Sequence, residues 1–545
     1  MSAPIKKNDD ITLEITGMSS EGAGIGRYEG FAVFVPFAIK GETVSAHVIK
    51  VTDSYAAAKL NEVIVPSENR VVPSCASFGK CGGCVLQHMS MPSQLEFKRQ
   101  LVVDALERIG GFSGVEVRPV IGMSEPERYR NKGSFPFASV DGKPIWGMYA
   151  ARSHRLIETD DCMIENSLAV HAAEAVRKWA ESNRIPVYDE KSGKGVLRHV
   201  AIRSLTDGAA VCVVTTGKLP NEKDLVERLR TAVPAVRSIV HNVNSRNTNV
   251  ILGSEFRLIW GEESVRQTIC GLDFSVSAES FLQVNIKQTE KLYDLAVSGL
   301  GLTKDMTAAD IFCGIGTITL LLAQKARNAV GIEYVPKAIE DAKNNAVRNG
   351  IDNVEFYAGA AEDVLPRLIS DGRRFDAITL DPPRKGADPA VLQAIAASGA
   401  ERIAYVSCSP ATLARDLKLL CGYGYKIDSV HPVDMFPHTA HVETVVLLSQ
   451  QRPNDKIRVE LDLTEFDITT AEKEATYQEI KDYVFEKHGI KVSSLYIAQV
   501  KEKLGIKERE NYYFPKDADA KQPQCPKDKE RLIVEALKHF KMIAE

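Results

Sequence analysis

From about residue 271 the chain alternates short apolar strands with amphipathic helices, and few folds accept that rhythm. TAADIF, AVGIEY, NVEFYAG, FDAITLD and RIAYVSC read as strands, with TLLLAQKA, PKAIEDAKNNAVRNG and PAVLQAIAASG as helices among them. Apolar strands separated by helices pair in parallel, because each crossover needs a helix to bring the chain back to the same edge. The last elements, YKIDSVHPV and ETVVLLSQ, have no helix between them and read as an antiparallel pair. The expectation for 271–450 is a doubly wound α/β domain, with ligands at the carboxyl ends of its strands.

The remaining chain has other rhythms. Residues 1–66 hold short strands broken by a Gly-rich turn, SSEGAGIGRYEG, which suits a small OB-like β-barrel. Residues 67–270 open on a loop rich in Cys, Gly and Pro. The helical pattern PSQLEFKRQLVVDALERIGG follows, then short strands with few long helical patterns, so a mixed α+β domain is expected. Residues 451–545 begin with the linker-like QRPNDK. Two amphipathic patterns, AEKEATYQEIKDYVFEKHG and DKERLIVEALKHF, flank SSLYIAQVKEKLGI there and predict a small α-rich extension. A length of 545 residues accommodates such a multidomain chain.

Composition removes several classes. Hydrophobic content of 44% and charged content of 26% exclude a disordered or fibrous chain. A formal charge of −4 gives no global basic signal, although a local basic surface would be hidden in that sum. The start, MSAPIKKNDD, lacks the apolar core of a signal peptide, and no apolar stretch approaches bilayer length. A cytoplasmic, monomeric protein with no membrane contact is therefore expected. Ten cysteines are too few for a disulfide scaffold, yet Cys75, Cys81 and Cys84 fall within ten residues. That clustering points to a metal or an iron–sulfur cluster.

The strand ends carry the chemistry. Asp310-Ile-Phe-Cys-Gly-Ile-Gly-Thr317 follows a strand and opens a helix, and Glu333 ends the next strand, where an acid can hold ribose hydroxyls. Thr319 replaces the third glycine of a dinucleotide fingerprint, so the loop suits S-adenosylmethionine, which has no pyrophosphate, better than NAD. Asp381-Pro-Pro-Arg-Lys-Gly386 and Cys408, in VSCSP, follow later strands on the same edge. Cys408 reads as a loop-borne nucleophile or as a buried thiol. Carbon 5 of uracil is a poor nucleophile, but a thiolate adding to carbon 6 makes the ring an enolate that can attack a sulfonium methyl. A base must then take the carbon-5 proton before the thiolate leaves.

DIFCGIGT, IEYVP, LDPPRKG, YVSCSPATLARDL and HVETVVLL, together with SFLQVN and YRNK, resemble the S-adenosylmethionine-dependent RNA uracil-5-methyltransferases. The likeness covers roughly residues 8–450. It implies Cys408 as nucleophile, Glu443 as the base at carbon 5, and Gln283, Phe312, Glu333 and Asp381 as holders of the methyl donor. Thr317 and Ala360 stand where relatives carry Asn. Cys75, Cys81, Cys84 and the distant Cys162 resemble the four-thiolate site of a [4Fe–4S] cluster in the 23S rRNA branch of this family. On spacing alone the thiolates suit zinc equally. The first 66 residues resemble a TRAM domain, an RNA-binding module, on which Arg27, Lys40, Lys50 and Lys59 could follow phosphates. The implied activity is methylation of carbon 5 of a uridine in RNA, with 23S rRNA as the expected target. Two alternatives stand beside it: a cytosine-5 RNA methyltransferase, and a non-catalytic RNA-binding iron–sulfur protein.

Overall fold

Along Asp10–Met18 (β1) Ile11, Leu13 and Ile15 are buried while Asp10, Thr12 and Glu14 are exposed, the period-two pattern of a strand with one wet face. In this computed structural model, which describes residues 3–451, 477–490, 492–504 and 525–540, β1 joins four more strands in a closed barrel. They are Gly24–Tyr28 (β2), Phe31–Val35 (β3), Thr43–Val51 (β4) and Tyr55–Val65 (β5), in the order β1-β2-β3-β5-β4. Closure leaves no unpaired edge.

After the Cys-bearing loop, helix Met91–Ala105 (α1) runs into a π-helical turn, Leu106–Gly110, and stops at Gly111 with φ 73°. A seven-stranded sheet follows, built from Lys132–Val140 (β6), Lys143–Tyr149 (β7), Leu156–Glu158 (β8), Leu197–Leu205 (β9), Gly208–Thr215 (β10), Val236–Val243 (β11) and Glu255–Gly261 (β12). Ser167–Ser182 (α2) and Glu222–Ala232 (α3) pack on it. The sixteen-residue α2 is longer than the sequence of this region predicts. It buries a face of small residues, Ala169, Ala172, Ala173 and Val176, closed by Trp179.

The hairpin Ser264–Ile269 (β13) and Leu272–Ser277 (β14) and the helix Ile286–Gly299 (α4) lead into the catalytic sheet. Its elements are Thr307–Ile311 (β15), Thr317–Lys325 (α5), Asn328–Glu333 (β16), Pro336–Arg348 (α6), Val354–Ala358 (β17), Ala361–Ser370 (α7), Ala377–Leu380 (β18), Pro389–Ala397 (α8), Arg402–Ser407 (β19), Pro410–Gly422 (α9), Tyr425–Val433 (β20) and Glu443–Gln450 (β21). The order is β17-β16-β15-β18-β19-β21-β20, parallel except for β21, which is antiparallel to both neighbours. The antiparallel final pair matches the sequence expectation. The order reverses between β15 and β18, and the crevice at such a reversal is where doubly wound sheets take their ligands.

Residues 1–455 form one compact unit and 456–545 a second. In the second, Tyr477–His488 (α10), Ser494–Lys503 (α11) and Lys527–His539 (α12) bury Ile480, Val484, Ile497, Val500, Ile533 and Leu537. The start of the first helical pattern there, 471–476, lies outside the described residues. Among the described residues no helix is long and apolar enough to cross a membrane.

Candidate active site

A cavity of about 700 Å³ opens at the carboxyl ends of β15, β16 and β18. Gln283, Phe312, Glu333 and Asp381 all line it, as do Thr317 and Ala360, the two positions where Asn is absent. The turn after β15 makes the room. Phe312 has φ 70°, Gly314 φ 54° and Gly316 φ 83°, and a Cβ on Gly316 would press within 3.1 Å of the Ala342 side chain. One Glu333 carboxylate oxygen accepts from the Gly314 amide (3.1 Å) and the other from the Val335 amide (2.9 Å). Both oxygens are thereby aimed, and each keeps a lone pair for a hydroxyl. This donor set and volume fit S-adenosylmethionine: an acid for the ribose, an aromatic side chain, and an acidic wall for a cationic sulfonium.

The cavity is also lined by a carboxyl that motif reading did not single out for a role. Asp310 is buried and accepts from the hydroxyls of Thr319 (2.6 Å) and Thr379 (2.9 Å), so it ties β15 to α5 and β18. Desolvation, then the negative Asp310, pushes Asp381 up to about 7. Its carboxyl faces the cavity, and a shift of that size marks functional sites.

Cys408 and Glu443 are brought together by strand register. Ser407 of β19 pairs with Thr444 of β21, a register that carried one step further sets Cys408 opposite Glu443, and the Glu443 charge does reach the Cys408 thiol. Glu443 is only 3% exposed and accepts no hydrogen bond among the described residues. Burial, then Asp381, lifts its carboxyl to about 8, and Arg384 opposes the rise. The half-buried Cys408 thiol is pushed up to about 11 by burial, then by Glu443 and Asp381, while Arg384 pulls it down. Arg384 therefore favours both anions. It stands in the DPPR motif, the one signal that could have found it.

Cys408 opens into a second cleft, of about 620 Å³, between the barrel and the catalytic sheet. Ser19 and Phe34 of the barrel line it opposite Arg384, Cys408 and His441. Pro383 and Lys385 line the cofactor cavity, so the DPPRK loop is a shared wall. YRNK supports this arrangement from outside. Asn131 donates to the Gln283 carbonyl (3.0 Å), and the Tyr129 hydroxyl to the Pro437 carbonyl (3.2 Å).

Comparison with known proteins supplies the family. Residues 223–451 match the family described as tRNA (Uracil-5-)-methyltransferase, and residues 6–60 match the TRAM domain. The chain is 46% identical to an uncharacterized RNA methyltransferase of Halalkalibacterium halodurans over 449 residues, covering 82% of this chain and 98% of that protein. A Clostridium tetani RNA methyltransferase, also uncharacterized, is 46% identical over 82% of this chain and 97% of its own length. The chain belongs to the RNA uracil-5-methyltransferase family. A solved structure agrees: the tRNA (uracil-54, C5)-methyltransferase of Pyrococcus abyssi, in complex with S-adenosyl-L-homocysteine, superposes with TM-score 0.65 at 28% identity. That match covers 80% of this chain and all of the other. As a uracil-5-methyltransferase family member, the chain is an RNA methyltransferase with S-adenosylmethionine as cofactor and an N-terminal TRAM barrel.

Within this RNA methyltransferase the charges of Cys75 and Cys81 reach Cys84, and that of Cys84 reaches Cys162. Burial raises Cys84 to about 11, and Cys81 and Cys75 add to the rise; burial, Glu165 and Cys84 raise Cys162 to about 12. The CGGC turn fits tightly, since a Cβ on Gly82 would lie 2.9 Å from the Ala151 backbone, and the Gly83 amide donates to the Cys81 sulfur at 3.3 Å. Among the described residues, however, no three His, Cys, Asp or Glu side chains are grouped to hold a metal ion. On the barrel, Arg27, Lys40, Lys50 and Lys59 are all exposed.

Proposed function

We propose that this enzyme methylates carbon 5 of a uridine in RNA through a covalent adduct between Cys408 and carbon 6. The observation that carries the reading is the register that sets Cys408 opposite Glu443 at the ends of β19 and β21, beside Arg384, whose neighbours Pro383 and Lys385 line the cofactor cavity. A uridine turned out of its strand enters the cleft between barrel and catalytic sheet. Cys408 gives its proton to solvent, the Arg384 charge favouring the thiolate, and adds to carbon 6, and the ring electrons move onto carbon 5 and the carbonyl. S-adenosylmethionine, held by Gln283, Phe312, Glu333 and Asp381, supplies an electrophilic methyl group to that carbon. Glu443, as carboxylate, then takes the carbon-5 proton; the ring double bond reforms, the sulfur–carbon bond breaks, and the Cys408 thiolate leaves. Gln283 and Asp381, which line the cofactor cavity, also orient the base.

The target is read as 23S rRNA, on the strength of the cysteine pattern combined with the barrel. Cys75, Cys81, Cys84 and Cys162 are assigned to a [4Fe–4S] cluster with a structural or RNA-binding role. The chain is read as a cytoplasmic monomer. Its parts are an RNA-binding barrel (1–66), a cluster-bearing domain (67–270), a catalytic domain (271–450) and an extension (451–545). Purified protein, labelled methyl donor and ribosomal RNA test the activity. Cys408→Ala is expected to abolish methyl transfer while S-adenosylmethionine still binds with unchanged affinity. Turnover in that variant would remove Cys408 from the mechanism.

A further inference from the structure

The sheet of the central domain carries a third cavity, of about 540 Å³, away from Cys408 and from the cofactor. A bulge builds it. Where β9 pairs with β10, Val214 faces His199 and Thr215 faces Leu197, so Arg198 is the extra residue. Such a bulge breaks the strict alternation of sides and re-aims the side chains around it, and Arg198 and His199 both reach the same cavity. Both are nearly enclosed, at 4% and 7% exposure. Arg198 spends one nitrogen on the carbonyls of Asn244 (2.8 Å) and Arg246 (2.6 Å), and its plane lies 4.6 Å over the Tyr188 ring. Its Nε–H and the His199 Nδ1 have no partner.

Leaving a buried guanidinium N–H and a buried imidazole nitrogen unpaired is costly unless a ligand completes them. The opposite wall limits what that ligand is. Tyr149 and His154 stack with centroids 5.2 Å apart and planes 25° apart, and the His154 Nδ1 is held 2.6 Å from Glu190. Flat aromatic walls favour a flat ring, and the charges around it are mixed, Arg155, Lys191 and Arg198 against Asp189 and Glu190. A nucleobase has a π-face for the walls and both donors and acceptors on its edge.

Its place in the fold connects it to the catalytic cleft. The turn between Tyr149 and Ser153 also carries Arg152, which pairs with Glu21 in the loop between β1 and β2. Ser19 and Ser20 of that loop line the Cys408 cleft. RNA leaving the cleft along the barrel loop therefore reaches this turn. We propose that this cavity is a nucleobase subsite that receives a second nucleotide of the RNA, outside the target uridine. The assignment rests on RNA being the substrate, but not on the roles of Cys408 and Glu443.

The test uses the full chain and a single-stranded RNA oligonucleotide containing 4-thiouridine, cross-linked by light and mapped by peptide mass spectrometry. Cross-links are expected on peptides bearing Tyr149, His154 or Tyr188, and they should persist in Cys408→Ala, which separates this subsite from the catalytic reading. In steady-state assays His154→Ala, an exposed ring whose loss spares the core, and Tyr149→Ala should each raise KM for RNA by about tenfold, the scale of one base–aromatic stack. The turnover number at saturating RNA and the affinity for S-adenosylmethionine should not change. Adenosine monophosphate serves as a free-nucleotide control and should bind at least a hundredfold more weakly than the oligonucleotide. An unchanged KM in both variants without cross-links here, or tight adenosine monophosphate binding that RNA does not displace, would overturn the proposal.

Discussion

Burying Glu443 beside Asp381 penalises its charged form, with consequences for stability as well as chemistry. Its carboxyl titrates at about 8 in the folded protein, above its ordinary value of 4.5. Between those two values the folded state holds a proton that the unfolded chain has released, so stability falls as pH rises through that window. Glu443→Gln, which cannot ionise, is therefore expected to melt higher than the parent enzyme at pH 8.5 and at the same temperature near pH 4.5. Thermal melts across pH check this, and a variant less stable than the parent at pH 8.5 would contradict it. The motifs around Cys408 and Glu443 are legible in the sequence, each as a residue at a strand end. Their meeting is not, because it depends on the register of Ser407 with Thr444. Arg384 was visible in its motif, but its effect on the thiol follows only from where the loop folds back.

At the scale of elements, α1 is bolted to the segment between β20 and β21 by a wholly enclosed ion pair. Lys98 Nζ lies 2.5 Å from Asp434 Oδ1 and donates to the Phe436 carbonyl at 2.9 Å, with neither side chain exposed. The same segment precedes Glu443 and carries His438, whose carbonyl accepts from the amides of Val85 and Leu86 after the CGGC turn. Removing one partner of such a pair strands a buried charge, at about 3–5 kcal/mol. Lys98→Met should lose stability on that scale in denaturant melts, and Lys98→Met with Asp434→Leu should recover most of it. Equal instability of the double variant would mean the pair is irreplaceable for another reason. The strand–helix rhythm of the catalytic sheet is readable because most positions of its central strands are apolar and buried. Helix α7 is masked in the sequence by Pro366 within it.

For the whole molecule, one contiguous unit holds a barrel, a cysteine loop and a catalytic sheet arranged around two adjoining cavities. Long-range proximity of this kind has no sequence signal: Cys162 is 78 residues from Cys84, and only the fold brings it within reach of the Cys84 charge. If the four thiols hold a [4Fe–4S] cluster, anaerobically purified protein will be brown with about four irons per chain. Cys84→Ser should then lose colour and iron together. Colourless protein with stoichiometric zinc would replace the cluster by a zinc site.

The central claim, a covalent cycle opened by Cys408 and closed by Glu443, is tested most directly by trapping it half-way. Glu443→Gln keeps the size of the side chain and removes its basicity, so methyl transfer should occur once and elimination should slow by about 10²–10⁴-fold. Denaturing electrophoresis followed by peptide mass spectrometry should find methylated uridine attached to Cys408. Normal turnover with no adduct, or an adduct on a different residue, would contradict the account.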